Sequence, residues 1–174
     1  MYFTYCESPI QKLILTSDGT FLTGLYMVGQ RHSPAIAAPN WIQDDTVAPF
    51  SMTHQQLSAY FAGNLTRFDL PLLGHGTPFQ QQVWRSLQAI PYGTTISYGE
   101  LAHRIEHPKS SRAVGLANGR NPIAIVVPCH RVISATGKLT GYSGGLEKKA
   151  WLLQHERTNS TQQYFGSNQG RREP

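Results

Sequence analysis

Cys129 and His130 are the residues of this chain whose types and spacing most directly suggest chemistry. They stand in the run Pro-Cys-His-Arg-Val at residues 128–132, directly after five apolar residues at 123–127. A thiol is a strong nucleophile only as the thiolate, and an adjacent base or cation favours that form. An apolar run of this kind is usually buried, so we expect the thiol at the end of a rigid support. The alternative interpretation is a buried cysteine that acts as a small apolar side chain.

Adjacency in sequence does not establish that the thiol and the imidazole touch. In an extended stretch, neighbouring side chains point to opposite faces. Contact between Cys129 and His130 therefore requires a turn or a bridging water.

Composition limits the classes of protein to consider. A chain of 174 residues, 40% hydrophobic and 14% charged, is one large or two small globular domains. No apolar run reaches the roughly 18 residues that span a bilayer, and the start of the chain lacks a signal-peptide pattern. The two cysteines, Cys6 and Cys129, are too few for a disulfide framework. We therefore expect a cytoplasmic protein with no membrane partner.

Charge is unevenly distributed along the chain. Residues 1–76 hold three Lys or Arg against five acids, whereas residues 77–156 hold nine against four. The last 18 residues, 157–174, hold three arginines against one glutamate. A basic second half favours a polyanionic partner, although a solvated basic face with no partner would have the same composition.

The first half of the chain predicts a small α/β domain, residues 1–76. Alternating apolar residues on both sides of an Asp-Gly turn indicate an antiparallel pair of strands. A prolyl loop at 31–49 separates this pair from a helix that starts near Ser51 or Thr53. The predicted elements are strands at Gln11–Thr16 and Phe21–Val28, the helix to Phe61, and a strand at Phe68–Leu73.

The second half, residues 77–156, predicts a helical domain. Capping residues and apolar stripes indicate helices from Thr77-Pro78, at Tyr98–Ile105, at Ser111–Gly119 and at Glu147–Glu156. The middle two, joined by a short turn, form a candidate helix-turn-helix, and a hairpin turn at Ser134–Lys138 would add a wing. The polar tail, 157–174, is predicted to be disordered. The fold class is therefore α+β, with an antiparallel sheet and helix followed by a winged helix-turn-helix.

A basic winged helix-turn-helix beside an activated cysteine indicates chemistry on DNA. The Pro-Cys-His-Arg-Val run, with Asn121-Pro122 before it and Tyr-Ser-Gly-Gly at 142–145 after it, closely resembles the O6-alkylguanine-DNA alkyltransferases. The resemblance is continuous from about Thr77 to Glu156 and weaker over residues 1–76. It implies single-turnover DNA repair, in which the alkyl group of O6-alkylguanine moves irreversibly to Cys129. O4-alkylthymine is a second candidate substrate for the same reaction.

The resemblance assigns a role to each catalytic residue. Cys129 is the alkyl acceptor, activated through a water by His130, which Glu156 orients. Tyr98 donates a proton to the leaving guanine. Asn121 is a hinge that ties the cysteine loop to the recognition helix. Taken singly, His130 would rather be assigned to a polar turn, Glu156 to a solvated helix end and Tyr98 to core packing; the joint match with the family favours the catalytic roles.

The resemblance also implies a partner, double-stranded DNA bound through the minor groove with little dependence on sequence. The target base must leave the stack to reach the thiol, and Arg112 fills the gap. An arginine that contacts only phosphate is the competing interpretation. The predicted DNA-binding residues are Arg112, Ala113, Gly115, Ser97 and Arg120.

The base pocket is expected to be lined by Tyr142, Ser143, Gly144 and the backbone of Val132, with the glycines leaving room for the ligand. No cofactor is implied, and a monomer is expected. Some relatives hold a structural zinc with two cysteines and two histidines in the N-terminal domain. Cys6 is the single cysteine there, so we predict no such zinc.

Three other functions are consistent with parts of the sequence. A lesion-binding module without transfer activity would lack the cysteine, so Cys129 argues against it. A cysteine hydrolase built on Cys129, His130 and Glu156 would regenerate its thiol and turn over a model ester. A regulator that places Arg112 in the major groove would prefer one duplex sequence.

Overall fold

The computed structural model describes residues 1–36 and 38–166, with side chains to residue 160. Among these residues no helix combines the length and the apolar character needed to cross a bilayer. The elements in chain order are β1 Tyr2–Cys6, β2 Leu13–Ser17, β3 Leu22–Met27, β4 Ile42–Gln43, α1 Phe50–Phe61, α2 Pro78–Gln88, β5 Ile96–Ser97, α3 Tyr98–Arg104, α4 Ser111–Gly119, the 3₁₀ turn Cys129–Arg131, β6 Val132–Ile133 and α5 Leu146–Gly166.

The N-terminal domain is a four-stranded sheet beside α1. The strand order is β3-β2-β1-β4. The first three strands are antiparallel, as expected, whereas the short β4 pairs with β1 in parallel. All five residues of the central β2 are buried, so its three apolar residues, Leu13 to Leu15, follow one another without alternation.

The predicted strand at Phe68–Leu73 is wrong. Only Leu72 forms a bridge, with Leu22 of β3. The Leu22 amide donates to Pro71 O at 2.8 Å, and its carbonyl accepts from Leu73 N at 3.0 Å. Pro71 has no amide hydrogen to donate, so a regular ladder cannot extend through this segment.

The helix-turn-helix is confirmed, as α3 and α4 joined by a short turn. Capping boxes begin both α2 and α3, with Thr77 and Ser97 as the N-cap residues. Trp84 of α2 donates from Nε1 to Ala117 O of α4 at 2.9 Å, which fixes α2 against α4.

The wing has a simpler form than predicted. The turn lies where expected, with Ser134 N donating to Lys138 O at 3.1 Å. No described strand returns after the turn, so it is not a β-hairpin. Instead β6, which precedes it, pairs in parallel with β5.

The apolar run at 123–127 is buried, as expected, but it is not a regular element. Ile125 has a φ of 71°, a left-handed conformation that is rare for a β-branched residue. The run is tied to the sheet, because Leu25 donates to Pro122 O at 2.9 Å and accepts from Ala124 N at 3.0 Å. The cysteine loop is therefore supported by β3 of the other domain.

The last helix is longer than predicted. It continues to Gly166 instead of ending at Glu156, so the expected disorder is wrong for residues 157–166. Residues 167–174 lie outside the described residues. Just before the extension, His155 Nε2 lies 2.8 Å from Tyr60 O of α1. Side-chain hydrogen bonds from Asn159 and Ser160 to carbonyls one turn earlier accompany it.

The capping box of α2 gives a first prediction. Thr77→Ala removes the hydroxyl that accepts from Gln80 N, which leaves an unpaired amide at the helix start. We expect a loss of about 1 kcal/mol in the free energy of unfolding, measured by urea titration. Ser58→Ala, an exposed position inside α1, is the control and should change stability by less than about 0.5 kcal/mol. Equal effects of the two substitutions would contradict a capping role.

Candidate active site

Cys129 begins the 3₁₀ turn and is 5% exposed. Burial raises the pKa of its thiol, while Asn121 and the positive charge of Lys149 act in the opposite direction. The resting residue is therefore a neutral thiol that requires a base to become a nucleophile. The position at the end of a buried segment agrees with the expectation from sequence.

His130 is fully buried directly behind the cysteine. Its Nε2 lies 2.8 Å from Glu156 Oε1, whereas its Nδ1 is buried with no hydrogen-bond partner in the described part of the chain. Burial lowers the pKa of His130, against the opposing effect of Glu156. A neutral ring with its proton on Nε2 satisfies the carboxylate and leaves Nδ1 as a proton acceptor. No direct hydrogen bond joins this ring to Cys129 among the described residues.

Glu156 is fully buried, although its charge is well compensated. Its two oxygens accept from Tyr60 Oη at 2.8 Å, from His130 and from Gly93 N at 3.0 Å. Arg131 adds a two-pronged ion pair, Nε and Nη2 each at 2.9 Å. Burial alone would raise the pKa of Glu156, but His130 and Arg131 hold it well below its usual range. The residue is an ionised anchor and not a solvated helix end.

Two side-chain partners of Glu156 were not predicted from the sequence. Arg131 lies within the cysteine motif, and its Nη1 also donates to Ile90 O at 2.6 Å. Because a buried carboxylate requires a nearby cation, Arg131 could have been identified from the sequence as a partner of Glu156. Tyr60 comes from α1 in the other domain, and nothing in its local sequence distinguishes it from a core aromatic.

Lys149 is a further site residue that sequence reasoning missed. It is fully buried, and its Nζ donates to Val132 O at 2.6 Å and to Thr140 O at 2.8 Å. Burial lowers its pKa to about 8, while the charge of a Cys129 thiolate raises it. Its spacing from Leu152 and Glu156 places all three on one face of α5, and this periodicity was the available signal.

Tyr98 lies at the start of α3, over the same site. Its hydroxyl donates to Thr140 O at 3.1 Å, and Lys149 Nζ lies 5.9 Å from the centre of its ring. Burial raises the pKa of Tyr98, and a charge on Cys129 raises it further. The hydroxyl therefore keeps its proton and can donate it.

Asn121 connects the end of α4 to the cysteine loop. Its Nδ2 donates to Val127 O at 2.8 Å, and its Oδ1 accepts from Ile123 N at 3.0 Å. Asn118, which the sequence did not single out, donates from Nδ2 to Cys129 O at 3.3 Å. Two asparagines thus fix the backbone of the cysteine loop to α4 and its C-terminal end.

A cleft of about 490 Å³ lies between α4 and the loop at 141–145. Tyr142 and Ser143, two of the residues predicted for the base pocket, line this cleft, and the hydroxyl of Tyr142 is buried without a partner among the described residues. Ser143 Oγ donates to Gly119 O.

Two predicted pocket residues have other tasks. A Cβ on Gly144 would overlap Met27 Sδ, so its small size makes room for the core and not for a ligand. The amide of Val132 donates to Cys129 O, and its carbonyl accepts from Lys149. Gly145 has open space around it, as expected.

The predicted DNA-binding residues lie mainly on one exposed face of α4. Arg112, Ala113 and Arg120 are exposed, and Gly115 is half-buried beside the ring of Tyr98. Leu116 is 70% exposed on the same face and was not predicted. Ser97 is occupied as the N-cap of α3, where its Oγ accepts from Glu100 N at 3.0 Å.

The carboxylate network gives a second prediction. Glu156→Gln leaves the buried guanidinium of Arg131 without a counter-charge, so we expect unfolding free energy at pH 7 to fall by about 3 kcal/mol. Because the folded-state pKa of Glu156 is lowered, this stabilisation is complete above the unfolded pKa, about 4.3. It is lost as pH falls toward the folded-state pKa.

Urea titrations at pH 7, 5 and 4 measure this difference. Glu147→Gln, at an exposed position in the first turn of the same helix, is the matched control and should cost less than about 0.5 kcal/mol. A Glu156→Gln penalty that does not shrink at pH 4 would contradict the assigned charge state.

Two family models match the chain almost from end to end. The DNA binding domain of 6-O-methylguanine DNA methyltransferase matches residues 78–158, and the ribonuclease-like domain of the same family matches residues 1–73.

Individual relatives agree with these models. A methylated-DNA–protein-cysteine methyltransferase of Mycobacterium bovis is 51% identical over 160 residues, which cover 92% of this chain and 94% of the relative. A protein of the same name from Methanosarcina acetivorans is 50% identical over 157 residues, which cover 90% of this chain and 98% of the relative. The crystal structure of Mycobacterium tuberculosis OGT in complex with DNA superposes with a TM-score of 0.84 at 51% identity, covering 91% and 94%. The chain therefore belongs to the 6-O-methylguanine DNA methyltransferase family.

Proposed function

We propose that this protein repairs alkylated double-stranded DNA by moving the alkyl group from O6 of guanine to Sγ of Cys129. The observation that carries the proposal is the buried row Cys129, His130 and Glu156, in which only Nδ1 of His130 has no described partner. This atom can take the thiol proton through one bridging water. The relatives' activity on methylated DNA supports the same chemistry.

The reaction is a single displacement. The thiolate attacks the alkyl carbon, a C–S bond forms, the C–O6 bond breaks, and its electron pair goes to the guanine. The thiol proton moves to His130, whose positive charge Glu156 stabilises at 2.8 Å. Tyr98 donates its hydroxyl proton to the departing guanine, and the charge of Lys149 favours the thiolate.

The product explains why each molecule reacts once. A thioether is not hydrolysed in water, so the alkylated cysteine stays alkylated. The alkoxy group of O4-alkylthymine is chemically equivalent and is included in the proposed substrate class. The catalytic groups all come from one chain, so a monomer suffices, and a reducing compartment such as the cytoplasm keeps the thiol free.

DNA is proposed to bind along the exposed face of α4, in the minor groove and with little regard to sequence. A thiol that is 5% exposed cannot reach a base within the stack, so the target nucleotide must rotate out into the cleft. Arg112 would enter the gap left behind, and the small Ala113 allows close approach of the groove.

A third prediction tests the transfer itself. Incubation with a duplex containing one O6-methylguanine should add the mass of one methylene to each protein molecule, reaching one equivalent and no more. Cys129→Ala should gain nothing, and Cys6→Ala, a matched control at the other cysteine, should react like the unchanged chain. Intact mass spectrometry reads this directly. Tight binding with no mass change would instead identify a recognition module without transfer activity.

A fourth prediction concerns pH. The resting pair, thiol with neutral imidazole, and the reactive pair, thiolate with imidazolium, hold the same number of protons. Their ratio is therefore constant until His130 is protonated at rest. Because burial lowers the pKa of His130, the transfer rate should stay level from pH 8 to below 6.5, the ordinary value for histidine.

His130→Gln should replace this plateau by a rate that rises about tenfold per pH unit toward the thiol pKa. At pH 7 the variant should be slower by about 10²-fold or more. Single-turnover rates give both readouts, and melting curves establish that the variant is folded. A plateau retained in His130→Gln would exclude His130 as the proton acceptor.

A further inference from the structure

The cleft between α4 and the loop at 141–145 has one wall that belongs to the N-terminal domain. Arg31 and His32 line it, opposite Leu116 and Arg120 of the α4 segment and Tyr142 of the following loop. Arg31 and His32 begin the prolyl loop at 31–49, for which the sequence predicts no function. Both side chains are exposed, so this wall of the cleft is open to solvent.

Arg31 differs from the other cations of its domain. Residues 1–76 contain three Lys or Arg against five acids, so positive charge is scarce on this domain. Lys12 lies 3.5 Å from Glu7 and 4.6 Å from the ring centre of Tyr5. Arg67 lines a separate cleft on another side. Arg31 forms no hydrogen bond or ion pair with any described residue, and its guanidinium is fully available.

The turn that presents Arg31 is built from fixed contacts. Gln30 is buried, and its Oε1 accepts from Met27 N at 2.8 Å at the end of β3. Ser33 Oγ donates to Gln30 O at 3.1 Å. Gly29 and His32 have left-handed φ values of 77° and 64°, which reverse the chain on both sides of Gln30 and Arg31. With its neighbour anchored inward, Arg31 is held at the mouth of the cleft.

A cleft edged by two guanidinium groups, Arg31 and Arg120, suits an anion between them. The forked guanidinium matches a phosphate diester, which it can bind through two hydrogen bonds. When a base rotates into the cleft, its own backbone phosphates remain at the mouth, where these two groups lie.

We propose that Arg31 binds a backbone phosphate of the strand that carries the flipped nucleotide. The N-terminal domain is thereby a second DNA-binding surface, and the duplex is held from both sides of the cleft. This inference rests on the proposed function, because it takes the cleft as the base entrance.

Single-turnover kinetics at increasing concentrations of an O6-methylguanine duplex test it. Arg31→Ala should raise the half-saturating duplex concentration about fivefold to tenfold and reduce the slope of log affinity against log salt by about one unit. The limiting rate at saturation should equal that of the unchanged chain, since Arg31 touches neither the thiol nor the base. Arg67→Ala is the matched control, an exposed arginine of the same domain at a different cleft.

The outcomes separate the two proposals. An Arg31→Ala variant with unchanged half-saturation and salt slope overturns the phosphate contact while leaving the transfer function intact. A variant with a lower limiting rate and unchanged affinity overturns it as well, because Arg31 would then act on the chemical step. If Arg67→Ala weakened duplex binding as much as Arg31→Ala, the effect would come from the change in net charge, and the phosphate contact of Arg31 would be overturned. An unchanged chain that never gains a methyl group would overturn the proposed function itself.

Discussion

The site depends on the ionised carboxylate of Glu156, which is buried completely and yet fully bonded. Removing a carboxylate from water costs several kcal/mol unless partners replace its hydration. Here Tyr60, Gly93, His130 and Arg131 supply five donors to two oxygens. These donors come from α1, from the loop after α2 and from the cysteine turn. One side chain at the middle of α5 therefore fixes three segments and, through His130, sets the direction in which a proton can move.

Burial of the thiol has opposing effects on reactivity. It raises the pKa of Cys129, so the resting thiol is protected, and it also strengthens every charge nearby. The attraction between the ammonium group of Lys149 and a Cys129 thiolate is therefore stronger, because it acts at low dielectric. The reactive state is thus available only when a substrate and a proton acceptor are both in place.

The sequence was sufficient where local rules decide the structure. Thr77 and Ser97 marked helix starts correctly because capping is a property of a few neighbouring residues. The same rules failed at Phe68–Leu73, where apolar content suggested a strand that Pro71 prevents. They also failed beyond Glu156, where the helix continues through a polar segment with side-chain hydrogen bonds from Asn159 and Ser160 to carbonyls one turn earlier.

The same distinction applies to the site: residues marked by a local motif could be predicted, and residues brought in by long-range contacts could not. Cys129, His130 and Glu156 could be named from a motif and a resemblance, and the structure brings them together, although their roles remain proposals. Tyr60 lies 96 residues before Glu156 in the chain, so no local pattern could pair them. The inward position of Lys149 could be inferred from helical periodicity only once Glu156 was known to face inward.

The N-terminal sheet acts on the site through backbone and packing more than through side-chain chemistry. Leu25 of β3 is hydrogen bonded to Pro122 and Ala124, the segment between the recognition helix and the cysteine turn. Met27, at the end of the same strand, occupies the space that a side chain at Gly144 would fill. A displacement of β3 would therefore move the cysteine loop and the loop at 141–145 together. Because the sheet supports both loops, a small domain without a sharp motif of its own accompanies the DNA-binding half.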